Sequence, residues 1–364
     1  MLSLKTKNII THILAYGVIW LVFSLIYLLV EKGILGDLHW YPSTGNPYNF
    51  SRNLWLIPGA SLLTGLCMGT CETLYFGKLF AKKSFAKKIL YKSTIYVLLI
   101  LVFLGAVVVV PDFIERGERT FSSQLVRSVW VFLSNYAFIS LALYMGAIIV
   151  ISQFYSEVSD SIGRGVLTNF FTGRYHTPVE EKRIFMFLDI RSSTHIAEQL
   201  GHIEYFKMLK EYYADLSETI VKYYGEIYQY VGDEVVISWK FTQGLKNNNC
   251  IQCFFAMKVA LHKQQAKYHQ RFGVMPHFKA GLHLGKVTTG EIGTVKKEII
   301  FTGDVLNTTS RIQSLCNVYG VDLIVSAHLL SKLRLALPLQ AKSLGENELR
   351  GKDEKMELFA VDEG

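Results

Sequence analysis

Four apolar stretches before residue 153 constrain the fold of this chain more than any other feature. Each is close to the roughly 20 residues that a helix needs to cross a bilayer. The chain has 364 residues, half of them hydrophobic, and a mean hydropathy of +0.25, and the apolar excess is concentrated in the N-terminal half. The pattern predicts a four-helix transmembrane domain over residues 1–152. Its spans are about residues 9–30, 54–76, 89–110 and 128–151.

The loop charges predict how this domain is oriented. The loop between the second and third spans, FGKLFAKKSFAKK, holds five lysines and no acid, whereas the other two loops mix both signs. Because cytoplasmic loops carry an excess of basic residues, we expect a multi-pass protein of the cell membrane whose termini and C-terminal half are cytoplasmic. The net charge of +8 partly reflects this topology, and we expect no nucleic-acid partner. The first stretch is long for a signal-peptide core and lacks a small-x-small cleavage site.

The role of the spans is open at the level of the sequence. They can serve as an anchor alone, hold a dimer together or sense a small or lipid ligand. Glu72 is ionisable and lies near the inner end of the second span. We expect its side chain to reach the membrane interface, and a sensing site within the membrane is the alternative.

A helical linker is predicted over residues 153–178. The spacing of its apolar residues indicates that the last membrane helix continues into the cytoplasm with one apolar stripe, which suits a partner helix in a homodimer. A polar connector, RYHTPVEEKR, then ends the helix, because proline disfavours helix at the residue before it. The stripe consists of Phe154, Val158, Ile162, Val166 and Phe170.

The remaining residues, 179–364, have the length and pattern of a soluble α+β domain. The order βαββαβ predicts a ferredoxin-like fold, in which an antiparallel sheet has helices on one face. The predicted elements are a strand at 183–190, a helix at 194–224 broken near Gly201, a hairpin at 226–239, a helix at 252–272 and a strand pair at 277–293 that turns at Gly285.

This order brings two acidic residues to one edge of the sheet. Asp189 ends the first strand, and Asp233 lies at the tip of the hairpin EIYQYVGDEVVISW, although Gly-Asp is also an ordinary turn pair. Two carboxylates with room for phosphate oxygens suit Mg²⁺, and a two-metal site can activate an attacking oxygen and stabilise a leaving pyrophosphate. Ser192, Ser193 and Thr194 open the next helix, whose free N–H groups can hold a triphosphate.

The motifs resemble those of the class III nucleotidyl cyclases. FLDIRSST, YQYVGDEVVISW and FTGDVLNTTSRI follow in the family's order, and the resemblance extends over about residues 179–361. It implies that two Mg²⁺ ions, for which Mn²⁺ can substitute, bind Asp189, Asp233 and the backbone carbonyl of Ile190. It implies transition-state roles for Asn307 and Arg311, which are four residues apart and so share one helix face.

The resemblance also implies a third cation and a dimer. In LRGKDEKMELFAV, Lys352 corresponds to the family's triphosphate-binding lysine. We expect Asp304 to cap the helix that carries Asn307 and Arg311, and Arg311 to grip a phosphate. In the family the metal-binding and transition-state residues act across a dimer interface, which implies a homodimer through the catalytic domain and the linker helix.

The residues that select the purine depart from the family pattern. Adenylyl cyclases commonly have Lys four residues before the second metal-binding aspartate and Asp or Thr seven before the transition-state asparagine, whereas guanylyl cyclases favour Glu and Cys. Here these positions hold Gln229 and Ile300. Glutamine can both donate and accept a hydrogen bond, and isoleucine can do neither. We expect ATP as substrate, because the acid that reads guanine is missing.

The expected function is that of a membrane-bound adenylate cyclase. The ribose 3′-hydroxyl of ATP would attack its own α-phosphorus, giving 3′,5′-cyclic AMP and pyrophosphate, with catalysis by positioning and charge neutralisation. The alternatives are a guanylate cyclase and, from another class, a catalytically silent nucleotide-binding membrane receptor. Retention of both aspartates with the asparagine and the arginine favours an active enzyme. The sequence leaves open which group accepts the hydroxyl proton.

Overall fold

The structure is a computed structural model that divides the chain into two compact units, and each is described by itself. Thr6–Thr168 form the helical unit and Asn169–Gly364 form the α/β unit. The residues that the structure describes are 4–42, 45, 47–80, 83–116, 134–335, 337–352 and 354–363.

The helical unit is built from long helices. Within the described residues, three segments are long and apolar enough to cross a membrane, namely Asn8–Leu35, Phe50–Phe76 and Phe138–Ile162. The third predicted span falls in α3, and residues 128–133 of the fourth lie outside the described residues, so the count of four spans stays a prediction. The helices are α1 (Leu4–Leu35), α2 (Phe50–Cys71, continued by a π-helical turn at Glu72–Phe76), α3 (Phe85–Arg116), α4 (Tyr136–Ile162) and α5 (Arg164–Phe171).

The prediction of one continuous helix through the linker is wrong. Helix α4 ends at Ile162, and α5 begins at Arg164. Between them Gly163 has a φ of +99°, which is outside the right-handed helical region and is accessible mainly to glycine. The predicted apolar stripe is therefore divided between two helices.

A buried ionic network joins three helices of the helical unit. Lys92 of α3 donates to Glu72 of the π-helical turn and, over 2.8 Å, to Glu157 of α4. All three side chains belong to residues that are at most 2% exposed. Lys88 lies 3.1 Å from the second oxygen of Glu157. The expectation that Glu72 reaches the interface is therefore wrong, because a buried charge needs a paired partner and Lys92 supplies it.

A hydrogen-bonded cluster that includes α1 lies beside this network. His12 of α1 is within hydrogen-bonding distance, 3.2 Å, of both Thr73 and Ser156. These two residues directly neighbour Glu72 and Glu157 in sequence. Helices α1, α2, α3 and α4 thus meet at one polar level of the helical unit, where hydrogen bonds and ion pairs can fix their register.

We expect Lys92→Met to destabilise the helical unit strongly. Removing one partner of a buried ion pair leaves uncompensated charge, a loss of about 3–5 kcal/mol, and here two glutamates lose their common cation. Thermal unfolding of the full chain in detergent measures the effect as a lower midpoint. Lys87→Met is the matched control, because Lys87 belongs to the same helix and is exposed. Equal midpoints for the two variants would contradict the structural importance of the network.

The α/β unit is an eight-stranded mixed sheet with helices on both faces. Its elements are β1 (Val179–Ile190), α6 (Ser193–Leu200), α7 (His202–Lys222), β2 (Glu226–Val231), β3 (Glu234–Lys240), α8 (Asn249–His262), α9 (Gln265–Phe272), β4 (Phe278–Ile292), β5 (Glu298–Thr302), α10 (Asp304–Tyr319), β6 (Leu323–Ser326), β7 (Leu339–Asn347) and β8 (Met356–Glu363).

The sheet has the strand order β2-β3-β1-β4-β6-β8-β7, and β5 pairs with the outer end of β4. The segment β2-β3-β1-β4 is antiparallel throughout, as the predicted βαββαβ order requires. Strand β6 runs parallel to β4 and extends the sheet beyond that core. The break predicted near Gly201 is also present, because α6 ends at Leu200 and α7 starts at His202.

Two sequence predictions about this unit are wrong. Strand β4 does not turn at Gly285 but runs straight through it, and its hairpin partner is the later strand β5. A Cβ at Gly285 would lie 2.7 Å from the Cβ of Val305, so this glycine allows a helix to approach the strand. That helix, α10, covers the face opposite α7 and α8, so the helices do not all lie on one face.

The alternation of β1 explains the two faces. Ile184, Met186 and Leu188 pack in the main core with residues of α7 and α8. The intervening residues Phe185 and Phe187 pack on the other face in a second cluster. Because side chains alternate along a strand, Asp189 belongs to the face of this second cluster, which is the side that α10 covers in part.

Candidate active site

Acidic residues of two neighbouring strands and one turn meet at one edge of the sheet. Asp189 of β1 is in register with Glu234 of β3 on one side and with Lys279 of β4 on the other. Directly opposed residues of antiparallel strands present their side chains on the same face. Asp233 precedes β3 in the turn, so the structure brings Asp189 and Asp233 together, as the strand order predicts.

The carboxylates are short of positive charge. Gln313 donates to Asp189 Oδ2 over 3.0 Å, and the Nζ of Lys279 lies 3.3 Å from the same oxygen. Burial, followed by the adjacent Asp233 carboxyl, raises the pKa of Asp189. Burial, with the charges of Asp189 and Asp233, raises the pKa of Glu234 to about 7. A single lysine therefore does not compensate the acids of this edge.

These residues fit a divalent cation. Asp233 Oδ2 is buried and has no hydrogen-bond partner among the described residues, which is costly for a carboxylate oxygen unless another ligand binds it. In that part of the chain no three histidine, cysteine or acidic side chains converge on one point. The site thus offers a carboxylate pair with the main chain of Ile190 next to it. Mg²⁺ commonly binds through one or two carboxylates together with phosphates.

Helix α10 carries Asn307 and Arg311 on the side turned away from Asp189. Each residue of a helix advances by about 100°, so Arg311 lies about 200° from Gln313, the residue that contacts Asp189. Asn307 is exposed and Arg311 is half-buried. Within one chain the structure therefore does not bring the predicted transition-state residues to the carboxylates of Asp189 and Asp233.

Lys352 lies at the start of the same helix. Its Nζ pairs with Asp304 Oδ2, and the hydrogen bond from Lys352 lowers the pKa of Asp304. The expectation that Asp304 caps α10 is wrong, since the residue before the helix is Gly303 and no side chain caps it. Asp304 instead accepts from Thr308 over 3.2 Å. Arg311 also lies close to Lys352. A Cβ at Gly351, the residue before Lys352, would lie 3.5 Å from the Arg311 guanidinium.

The predicted triphosphate segment follows Asp189 directly. Ser192 precedes helix α6 in a left-handed conformation with a φ of +54°. Ser193 and Thr194 form the first turn of that helix, at the same edge of the sheet as the carboxylates. Ser192 and Thr194 are exposed and Ser193 is half-buried, so their hydroxyls are accessible to a ligand.

The two positions predicted to select the purine lie on different strands. Gln229 is exposed on β2, in register with Val236 of β3. Ile300 is half-buried on β5 and pairs with Gly290 of β4. Val236 packs with Phe185, which places Gln229 on the same face of the sheet as Asp189 but several residues from the edge that carries Asp189 and Asp233.

Lys279, Gln313 and Glu234 were not assigned from the sequence. Lys279 is 7% exposed and lies in the apolar run HFKAGLHL, so a charged residue in a buried strand was a detectable signal. Glu234 follows Asp233 directly, and its position opposite Asp189 depends on the register of β1 and β3. Gln313 had no local signal, because only the packing of α10 places it on the sheet.

Comparison with known proteins identifies the family. The model of the adenylate and guanylate cyclase catalytic domain matches residues 177–363, about half of the chain. The chain belongs to this cyclase family. Its three motifs and the paired carboxylates described above all fall within the matched region.

Relatives and solved structures agree with this assignment. Over 211 residues the chain is 33% identical to adenylate cyclase 2 of Rhizobium meliloti (strain 1021), a match that covers 58% of each chain. It is 27% identical to an adenylate cyclase of Anabaena cylindrica over 183 residues, 48% of this chain and 36% of that one. The chain thus spans less than two thirds of these curated relatives. A bacterial light-regulated adenylyl cyclase has the same fold, with a TM-score of 0.54 and 20% identity over 63% of this chain and 66% of that one.

We expect Mn²⁺ to stabilise the cyclase unit of the full chain through Asp233. A ligand at tenfold excess over its Kd adds about 1.4 kcal/mol to the free energy of unfolding, which thermal unfolding detects as a shift of a few degrees. Asp233→Asn should abolish the shift, and Asp362→Asn, a change of an exposed acid on β8, should retain it. A full shift in the Asp233 variant would contradict its assignment as a ligand.

Proposed function

We propose that the chain is a membrane-anchored adenylate cyclase that converts ATP to 3′,5′-cyclic AMP and pyrophosphate in a homodimer. The observation that carries this proposal is the pair Asp189 and Asp233 at the sheet edge, with one buried carboxylate oxygen that lacks a partner among the described residues. Two Mg²⁺ ions, or Mn²⁺, would fit there with the carbonyl of Ile190. Such ions lower the pKa of an attacking hydroxyl and neutralise phosphate charge.

The chain's own residues have distinct parts in this reaction. Gln313 and Lys279 hold Asp189 in place from its Oδ2 oxygen, so its other oxygen would bind the metal. Ser192, Ser193 and Thr194 offer hydroxyl and N–H donors to the phosphates at the same edge. Holding the ribose hydroxyl in line with the α-phosphorus is then the main source of rate enhancement.

The remaining groups come from the second chain of the dimer. Arg311 and Asn307 lie on the side of α10 turned away from Asp189, so a site that needs all of them requires two copies. Lys352, near Arg311, would bind the triphosphate from that same second chain, after exchanging its Asp304 partner for phosphate oxygens. A two-fold dimer would contain two equivalent composite sites.

ATP is the proposed substrate, and GTP is the second candidate. Gln229 lacks the negative charge that would pair with the guanine N–H groups, which favours ATP. Ile300 adds no hydrogen bond, so discrimination would be modest. The relatives named above are called adenylate cyclases, which supports the same choice.

The membrane anchoring is part of this proposal. Three described helices have the length and composition of membrane spans, and the lysines between α2 and α3 support a cytoplasmic position for that loop and for both termini. A change in the arrangement of the spans would be transmitted to the α/β unit through residues 153–178. The break at Gly163 is where the helices of this linker would change their relative orientation.

The direct test is turnover by the purified full chain with ATP or GTP and Mn²⁺. We expect cyclic AMP as the main product, and Gln229→Lys should raise the preference for ATP over GTP by at least about tenfold, because one cation–acceptor hydrogen bond to the purine is worth roughly 1.5–3 kcal/mol. Chromatography of the products gives both rates. Cyclic GMP as the main product would favour the second candidate. The absence of both products would favour a silent receptor.

The dimer is tested by mixing inactive chains. Asp189→Asn and Arg311→Ala chains should each be inactive alone, since each lacks a charged group in both sites. Co-expressed chains form heterodimers in which one site has lost both groups and the other neither. With random pairing, activity should return to about a quarter of wild type.

The control for this mixing experiment is a pair of changes in one site. Asp189→Asn and Asp233→Asn chains should not restore activity, because every site then lacks at least one carboxylate ligand. Co-purification with two affinity tags confirms that heterodimers form. If Asp189→Asn and Arg311→Ala heterodimers form without activity, the composite-site arrangement is wrong.

A further inference from the structure

We propose that Tyr228 and Arg183 form a clamp that positions the two purine-selecting residues and so determines substrate selectivity. This inference rests on the proposed function, since it assigns Gln229 and Ile300 to the purine. Tyr228 is the first residue of the motif YQYVGDEVVISW but has no predicted role in it, and Arg183 lies four residues before the motif FLDIRSST. Both act through other residues, so they are positioning residues.

Tyr228 connects the strands that carry the selecting residues. The register of β2 shifts between Ile227 and Gln229, so Tyr228 occupies a β-bulge, a feature that redirects a side chain. Its hydroxyl accepts a hydrogen bond from the backbone N–H of Phe301 over 3.2 Å. The two rings also pack with centroids 4.7 Å apart. The neighbours of these two residues are Gln229 and Ile300, so the contact ties one purine position to the other.

Arg183 stabilises the contact between Tyr228 and Phe301 by packing against the Phe301 ring. Its guanidinium lies 4.6 Å from the centre of the Phe301 ring, and the residue is 2% exposed. It donates to Glu226 of β2 over 2.7 Å, to Ser238 of β3 over 3.0 Å and to Glu181 of β1 over 2.8 Å. A planar guanidinium can make several hydrogen bonds while stacking on a ring, which lysine cannot do.

The clamp fixes the position of strand β5 relative to β2. Strand β5 hydrogen-bonds to the outer end of β4 and lies off the main strand order. It contacts β2 through Phe301 and Tyr228. Phe301 also packs against two residues of β1, Arg183 and Phe185, and the Phe185 ring is 5.4 Å away. The spacing between the purine positions is thus set by the clamp.

The clamp also explains how Ile300 can serve at a position that commonly holds a polar residue. An isoleucine can select a purine only by shape, because it has no donor or acceptor. Selection by shape requires the side chain to stay at a fixed distance from Gln229. A rigid link between the two strands supplies that distance.

The test compares Tyr228→Phe with Tyr268→Phe in the full chain. The first change removes the hydroxyl that binds Phe301 and keeps the ring. The second removes a hydroxyl that donates to Asp215 over 2.7 Å in the core on the other face of the sheet. We expect Tyr228→Phe to raise the KM for ATP about fivefold, the effect of one lost hydrogen bond, with kcat within about twofold. The ratio of kcat/KM for ATP to that for GTP should fall at least about threefold.

Arg183→Lys provides a second variant, which retains the charge and loses the planar guanidinium with its several hydrogen bonds. It should shift the ATP to GTP ratio in the same direction as Tyr228→Phe, and Tyr268→Phe should leave the ratio unchanged. An unchanged KM and ratio in Tyr228→Phe, with a normal unfolding midpoint, would overturn the clamp. Equal losses in the Tyr228 and Tyr268 variants would also overturn it, because they would indicate general destabilisation.

The outcome for the clamp is separable from that for the proposed function. If the wild-type chain forms no cyclic nucleotide, the proposed function fails. Binding of fluorescent ATP and GTP analogues then decides the clamp by the same ratio of affinities. If the wild type is active and the ratio is unaffected in the variants, the proposed function stands and the clamp fails.

Discussion

The packing of helix α10 against the backbone of strand β4 is the contact on which the candidate active site depends. A Cβ at Gly281 would lie 2.4 Å from the backbone nitrogen of Gln313, a distance that no side chain can occupy, so only glycine permits this approach. Because the helix lies so close, Gln313 reaches Asp189. The same rotation turns Arg311 to the opposite side of the helix, which is why the proposed composite site requires a second copy.

The electrostatics of the sheet edge favour a bound cation. Asp189 and Glu234 have raised pKa values because burial removes their hydration and the neighbouring acids repel added charge. Lys279 and Gln313 orient one oxygen of Asp189 but do not reach the buried oxygen of Asp233 that lacks a partner in the described part of the chain. The sheet edge therefore suits a positively charged ligand that carboxylate oxygens can coordinate.

The helical unit also buries acidic residues, and its own lysines neutralise them. Lys92 neutralises Glu72 and Glu157 at a level where all three are buried, and Lys88 completes the charge balance. The network connects α2, α3 and α4, and α4 contains the first residues of the linker, including Glu157. A change in the arrangement of these helices would have to break or rearrange an ion pair, which makes intermediate positions costly.

The sequence by itself determined Asp189 and Asp233 as candidate site residues, the βαββαβ strand order and the apolar stretches, because motifs and periodicity are local properties. Asp189 and Asp233 could be brought together from strand order alone. It did not determine that Gly285 accommodates a helix, that α4 is interrupted at Gly163 or that Glu72 is paired. Tertiary structure decided these features, because they depend on residues distant in sequence: Gln313 and Asp189 are 124 positions apart, and no local pattern records which helix face meets a strand.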